Sequence, residues 1–161
     1  MTLLSFIIAT TLILAPGGPN KGDNAAVVLT EFNSAQEAME YVVKEVLLPM
    51  DIIPLRYDAR MGYLVTERSL YKGFYNCDYV FTFLMNGGKV QIICRPRDYD
   101  YSKSLDTFPG YSLPYNPKAM KDSPAKVYWD KFQQILSKIP SVSIIFTGAE
   151  EDNKIKDFQM F

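Results

Sequence analysis

Two stretches of alternating apolar residues on either side of an Asn-Gly-Gly turn constrain the fold of this chain most strongly. In residues 75–85 and again in residues 89–97, large apolar side chains occupy every second position. Alternate side chains of a β-strand share one face, so the pattern predicts a long antiparallel hairpin. The opposite face carries further apolar residues, and we expect it to be partly covered: Val80, Leu84 and Ile93.

The register of this hairpin follows from matching the two apolar faces, because a slip of one residue turns every side chain to the other face. Three directly opposite pairs result: Phe81 with Cys94, Phe83 with Ile92, and Met85 with Val90. Cys77 then lies about 13 Å along the strand from the residue opposite Cys94. A disulfide needs Cα atoms within about 7 Å, so we expect two buried free thiols.

Helix signals lie before and after this region. Ser34 and Glu37 form a capping box that begins a helix, and Pro49 ends it after about Leu48. A second helix begins at Ser123-Pro124, with serine as the cap and proline in the first turn. The other predicted strands span residues 25–31, 51–58, 62–69 and 141–147.

This order of elements predicts the α+β class. We expect an antiparallel sheet of about five to six strands with two helices packed on one face, in the order β-α-β-β-β-β-α-β. Pro54 indicates that its strand lies at an edge or carries a bulge. A length of 161 residues fits one domain, which we place at residues 25–147, between a linker (19–24) and a charged C-terminal tail (148–161).

The amino terminus contains an uncharged run at residues 3–15. It is short for a membrane helix but matches the hydrophobic region of a signal peptide, and small residues at Ala15-Pro16-Gly17 suit cleavage. One feature of a signal peptide is missing, because no Lys or Arg precedes the run. Residues 1–18 are therefore expected to be a signal peptide of an extracytoplasmic protein, periplasmic or secreted. The alternative is a hydrophobic arm that belongs to the fold or contacts the membrane.

Composition excludes several kinds of chemistry. The chain has no histidine, which removes His-dependent nucleophilic catalysis and every His-containing metal site. A net charge of −1 without a basic cluster argues against nucleic-acid binding. Ser123 and Lys126 match an S-x-x-K motif, but a helix cap explains Ser123 better. We expect no catalytic residues, no cofactor and no metal.

The segment 98–122 is long and rich in Tyr, Pro and Ser. Long ordered loops in small domains are often functional, and Tyr and Arg are enriched at binding surfaces. Candidate binding residues are Arg97, Tyr99, Tyr101, Tyr111 and Tyr115. The alternative is that these aromatic residues anchor the segment to the sheet, and we expect Trp129 to lie in the core.

Three sequence features together resemble a known family. They are the helix from Ser34 to Leu48, the turn Tyr57-Asp58-Ala59-Arg60-Met61-Gly62-Tyr63, and the hairpin turn Asn86-Gly87-Gly88-Lys89-Val90. Over residues 25–140 the chain resembles a family of uncharacterised exported bacterial proteins with a fold like that of the TATA-box-binding protein. The resemblance implies that fold and supplies no activity, and a shared fold does not imply DNA binding.

These observations favour an exported or cell-envelope binding module that is not an enzyme and recognises a protein or a glycan through the loop at residues 97–116. Two alternatives stay open. One is a subunit of a larger assembly that uses the hydrophobic N-terminal arm. The other is a small hydrolase that works without histidine, since paired carboxylates can perform acid–base chemistry.

Overall fold

The computed structural model describes residues 18–71, 75–98, 111–121 and 123–148. Six strands form one antiparallel sheet in the order β2-β3-β5-β6-β1-β8, and two short strands pair with it: β4 with β5, and β7 with β6. The strands are β1 Asp23–Thr30, β2 Pro54–Asp58, β3 Tyr63–Thr66, β4 Ser69–Tyr71, β5 Tyr75–Asn86, β6 Lys89–Asp98, β7 Tyr111–Ser112 and β8 Ser143–Gly148.

Two helices complete the α+β fold, as the sequence predicts. Helix α1 spans Ala35–Tyr41 and continues as a π-helical segment, Val42–Leu47, and a 3-10 turn, Leu48–Met50. Helix α2 spans Pro124–Lys138. Helix α1 packs against β5, helix α2 packs against β5 and β6, and α2 also contacts the π-helical continuation of α1. The two helices therefore cover one face of the sheet.

The six strands of the main sheet confirm the predicted count, and two short strands add to the predicted order. The single strand expected at 62–69 is two strands, β3 and β4, and both pair with β5. The short strand β7 was not predicted; it pairs Ser112 with Arg97 of β6. These pairings depend on long-range partners, so no local alternation marks them. The order is therefore β-α-β-β-β-β-β-β-α-β.

The central hairpin confirms the predicted register. The pairs Phe81 with Cys94, Phe83 with Ile92, and Met85 with Val90 are all present. The turn residues Gly87 and Gly88 both have positive φ angles, 59° and 79°, a conformation that glycine adopts without steric cost.

The helix caps also follow the sequence. The Ser34 hydroxyl accepts a hydrogen bond from the backbone N–H of Glu37 at 3.1 Å. The Glu37 carboxylate reaches back to the backbone N–H of Asn33, one residue earlier than a capping box predicts, at 3.0 Å. At the second helix, the Ser123 hydroxyl accepts from the N–H of Ala125 at 3.2 Å. Both helices therefore begin at the predicted residues.

The core lies between the sheet and the helices. Trp129 of α2 is fully buried, its Nε1–H donates to the Leu113 carbonyl at 3.0 Å, and its ring meets Phe132 edge-on. Trp129 is a core residue, as expected. The sheet contributes these fully buried side chains: Ala26, Val28, Leu64, Phe81, Val90, Ile92 and Cys94.

The two edges of the sheet differ. Strand β2 forms one edge and contains Pro54, with a register shift between Pro54 and Arg56. The proline predicts an edge position or a bulge, and this strand has both. Strand β8 forms the other edge and pairs with β1, with Ile145 opposite Val27. Ile144 and Phe146 pack against the core, so Ile145 points to the face away from the helices.

Candidate functional site

Arg97 is the one predicted binding residue in the central strands. It lies directly opposite Asp78 of β5. Its Nε donates to Oδ1 of Asp78 at 2.9 Å and its Nη2 to Oδ2 at 2.8 Å. The Arg97 side chain is 10% exposed and that of Asp78 2%. These two hydrogen bonds hold the guanidinium of Arg97 against the carboxylate of Asp78. Arg97 is therefore fixed to β5 immediately before the segment 98–122. Ligand contact by Arg97 stays a prediction.

Tyr115 lies within the same segment and packs against the core. Its ring is half-buried and meets Trp129 edge-on, with 5.1 Å between ring centroids. Its backbone N–H donates to the Asp23 carbonyl at 2.7 Å, and its carbonyl accepts from Gly22 at 2.8 Å. Tyr115 therefore behaves as the anchoring alternative predicts.

The other three candidate binding residues are Tyr99, Tyr101 and Tyr111. Tyr99 and Tyr101 lie outside the described residues, and Tyr111 is described as part of β7, where it pairs with Asp98. The structure thus brings Arg97 and Tyr111 to neighbouring strands. Binding by the three tyrosines stays a prediction.

The two cysteines are free and buried, as the hairpin register predicts. Cys77 lies opposite Asp98 and Cys94 opposite Phe81, so the two thiols occupy different levels of the hairpin. Burial raises the pKa of Cys94, and burial followed by the charge of Asp78 raises that of Cys77. A reactive thiol needs the reverse shift, so neither cysteine has the properties of a nucleophile.

A cleft of about 300 Å³ lies beside the start of α1. Its lining residues are Glu31, Phe32, Glu37, Pro140, Ser141 and Val142. Glu37 accepts hydrogen bonds from both the backbone and the side chain of Asn33, and Glu31 lies 3.4 Å from the ammonium group of Lys89. Both carboxylates therefore have structural partners, one at a helix cap and one across two strands.

The sheet face opposite the helices carries an apolar surface that we call the outer patch. It comprises Val27, Leu29, Leu84, Ile93 and Ile145. These residues come from four adjacent strands, and none of them is fully buried. Ile145 is 59% exposed and Leu84 40% exposed. Strands with one solvated face normally carry polar side chains on that face. The outer patch is therefore an unusual feature of this fold.

Sequence reasoning found only part of the outer patch. The alternation in the hairpin identifies Leu84 and Ile93 as apolar residues of its second face. It also identifies Val80, which is buried in the structure. The sequence analysis does not identify the other three residues of the patch: Val27, Leu29 and Ile145. The first and last strands carry apolar residues on both faces, which is the only sequence feature that marks these positions. That the residues form one surface depends on which strands are neighbours in the folded sheet.

The described residues contain neither a metal-binding cluster nor a membrane-spanning helix. No group of three or more Cys, Asp or Glu side chains among them is arranged to hold a metal ion. In the same part of the chain, no helix has the length and apolar character to cross a membrane.

No protein-family model matches the chain, and no curated protein matches it significantly.

Proposed function

We propose that this protein is a non-enzymatic binding module of the cell envelope or the secreted fraction, and that it recognises a protein partner through the outer patch. The observation that carries this proposal is the exposure of Leu84 and Ile145 beside the half-buried Val27 and Ile93 on one sheet face. Contiguous exposed apolar surface on a soluble protein typically marks a contact with another protein.

The strand register joins three residues of the outer patch in one row. Val27 of β1 lies directly opposite Ile145 of β8 on one side and opposite Ile93 of β6 on the other. Directly opposite side chains on one face have Cβ atoms about 4.5–5.5 Å apart. The three residues therefore form an unbroken row across three strands.

Chemistry on the described residues supports binding better than catalysis. The two glutamates of the cleft have structural partners, and the two thiols are buried with raised pKa values. A hydrolase without histidine needs a pair of carboxylates available to the substrate. The outer patch, in contrast, needs only a complementary apolar surface.

A capture experiment with matched variants tests the proposal. The wild-type chain is immobilised and exposed to envelope extract of its source organism, and bound proteins are identified by mass spectrometry. Leu84→Glu places a charge in the outer patch, and Val127→Glu is the control, because Val127 is an apolar residue of α2 with a similar exposure of 42%. We expect Leu84→Glu to lose a partner that wild type and Val127→Glu retain.

Two results would overturn this proposal. Equal capture by Leu84→Glu and wild type would show that the outer patch is not the contact surface. Capture that survives protease digestion of the extract and is lost after glycosidase treatment would identify a glycan as the ligand.

The export part of the proposal has its own test. The intact mass of the protein from its native host distinguishes a mature chain beginning near Gly18 from one that keeps residues 1–17. A mature form near Gly18 supports a cleaved signal peptide. A full-length form in the membrane fraction or in a complex supports the alternative of an uncleaved N-terminal arm.

A further inference from the structure

Strand β8 is an edge strand without the features that normally protect an edge. In the described part of the chain it pairs only with β1. Its residues Ser143–Gly148, SIIFTG, include no charge and no proline. The register shift on the β1–β8 ladder lies between Asp23 and Ala25 of β1, so the pairs from Ser143 to Thr147 are regular. An exposed, regular, uncharged edge is a template for pairing with another strand.

The opposite edge provides an internal comparison. Strand β2 has Pro54 at its start, a register shift before Arg56, and exposed charged side chains at Arg56 and Asp58. Proline, bulges and charges are the devices that block edge-to-edge pairing. Among the described residues, the sheet therefore protects the β2 edge and leaves the β8 edge unpaired.

The sequence of β8 is complementary to itself in one antiparallel register. A two-fold axis at Ile145 sets Ile145 opposite its own copy, Ile144 opposite Phe146, and Ser143 opposite Thr147. The apolar residues then meet apolar residues on both faces, and the two hydroxyl residues meet each other. An isologous contact of this kind closes on itself and forms a dimer.

We propose that β8 pairs antiparallel with β8 of a second copy of this chain, about a two-fold axis at Ile145, to form a dimer with one continuous sheet. Because Ile145 belongs to the outer patch and lies at the axis, the two outer patches join into one surface. The net charge of −1 per chain opposes association little. This inference goes beyond the proposed partner binding, which does not require a dimer.

The mass in solution provides the first test. Sedimentation equilibrium of the full chain should show a species of twice 18.3 kDa. An interface made by one pair of edge strands is small, so we expect a dissociation constant of about 1–100 µM. A wild-type chain that stays monomeric at about 1 mM, where such a dimer would dominate, contradicts the proposal.

A charge-swap pair of variants tests the register. In the proposed dimer, Ser143→Lys with Thr147→Lys sets lysine against lysine at two symmetric positions and should raise the dissociation constant about tenfold or more. Ser143→Lys with Thr147→Glu sets lysine against glutamate at the same positions and should restore association. Equal association by the two double variants would refute this register. Trp129 fluorescence checks that each variant is folded.

Cross-linking gives a second measurement that does not depend on affinity. Directly opposite residues of an antiparallel pair have Cα atoms about 4.5–5.5 Å apart, which suits a disulfide. Ile145→Cys should therefore form a covalent dimer under mild oxidation, whereas Leu84→Cys in β5 should not. The native thiols are buried and do not compete. Absence of the Ile145→Cys dimer, or equal cross-linking of both variants, would overturn the proposal.

The two proposals fail independently. Leu84→Glu should remove partner capture and leave the dimer intact, because Leu84 lies in β5, three strands from the β8 edge. The Ser143→Lys, Thr147→Lys variant should lose the dimer, and its capture result shows whether partner binding needs two copies.

Discussion

Replacing Gly62 by alanine should destabilise the protein far more than the same change at Gly87. Both glycines lie in hairpin turns with similar positive φ angles, 62° and 59°. An added Cβ at Gly62 would lie 2.3 Å from the carbonyl oxygen of Phe83, whereas one at Gly87 meets nothing within 4 Å. The pair therefore separates backbone strain from a steric clash.

The expected magnitudes follow from these contacts. A left-handed backbone costs a non-glycine residue about 1–2 kcal/mol, and this is the whole cost for Gly87→Ala. At Gly62 the Phe83 backbone must also move. That movement weakens the hydrogen bond from the Phe83 N–H to the Gly62 carbonyl, now 2.7 Å, and displaces a buried core side chain. Lost hydrogen bonding and core strain bring the total to about 3–5 kcal/mol.

Equilibrium unfolding in urea measures both variants. The chain contains one tryptophan, Trp129, which is fully buried against Phe132 and reports loss of the core by fluorescence. We expect the unfolding free energy of Gly62→Ala to lie about 2–3 kcal/mol below that of Gly87→Ala. Equal losses in the two variants would show that the contact with Phe83 does not matter, and the steric reasoning would be wrong.

Other contacts give further predictions. Asp78→Ala should cost about 3–5 kcal/mol because it removes one member of a buried, doubly hydrogen-bonded ion pair. Lys126→Ala breaks an exposed helix ion pair and should cost less than about 1 kcal/mol. Similar losses of unfolding free energy in urea for the two variants would contradict this. Cys77 and Cys94 should resist a thiol reagent at pH 8 until urea unfolds the chain. Burial raises the pKa of both thiols in the folded protein. Their contribution to the free energy of unfolding is therefore complete below the ordinary thiol pKa and decreases as pH rises above it. The decrease is up to about 1.4 kcal/mol per pH unit for each thiol. Replacing both cysteines with alanine should reduce this alkaline slope, and an unchanged slope would assign it to other groups.

Several features of the fold were readable from local sequence because local physics decides them. The register of Phe81 with Cys94 follows from a two-residue period that leaves one apolar face. The starts of both helices follow from Ser34 and Ser123, whose hydroxyls satisfy backbone N–H groups within three residues. Pro54 marked a strand edge because proline lacks the donor that a central strand needs.

Tertiary structure decided which faces and edges stay open. Nothing local in the sequence distinguishes the buried Val80 from the exposed Ile145, because exposure depends on which strands and loops become neighbours. The pairing of Arg97 with Asp78 joins residues 19 positions apart, so no local pattern in the sequence marks it. The edge position of β8 likewise follows from the strand order alone. Local periodicity determines which secondary structure a segment can form. Long-range packing determines which of its faces and edges stay exposed.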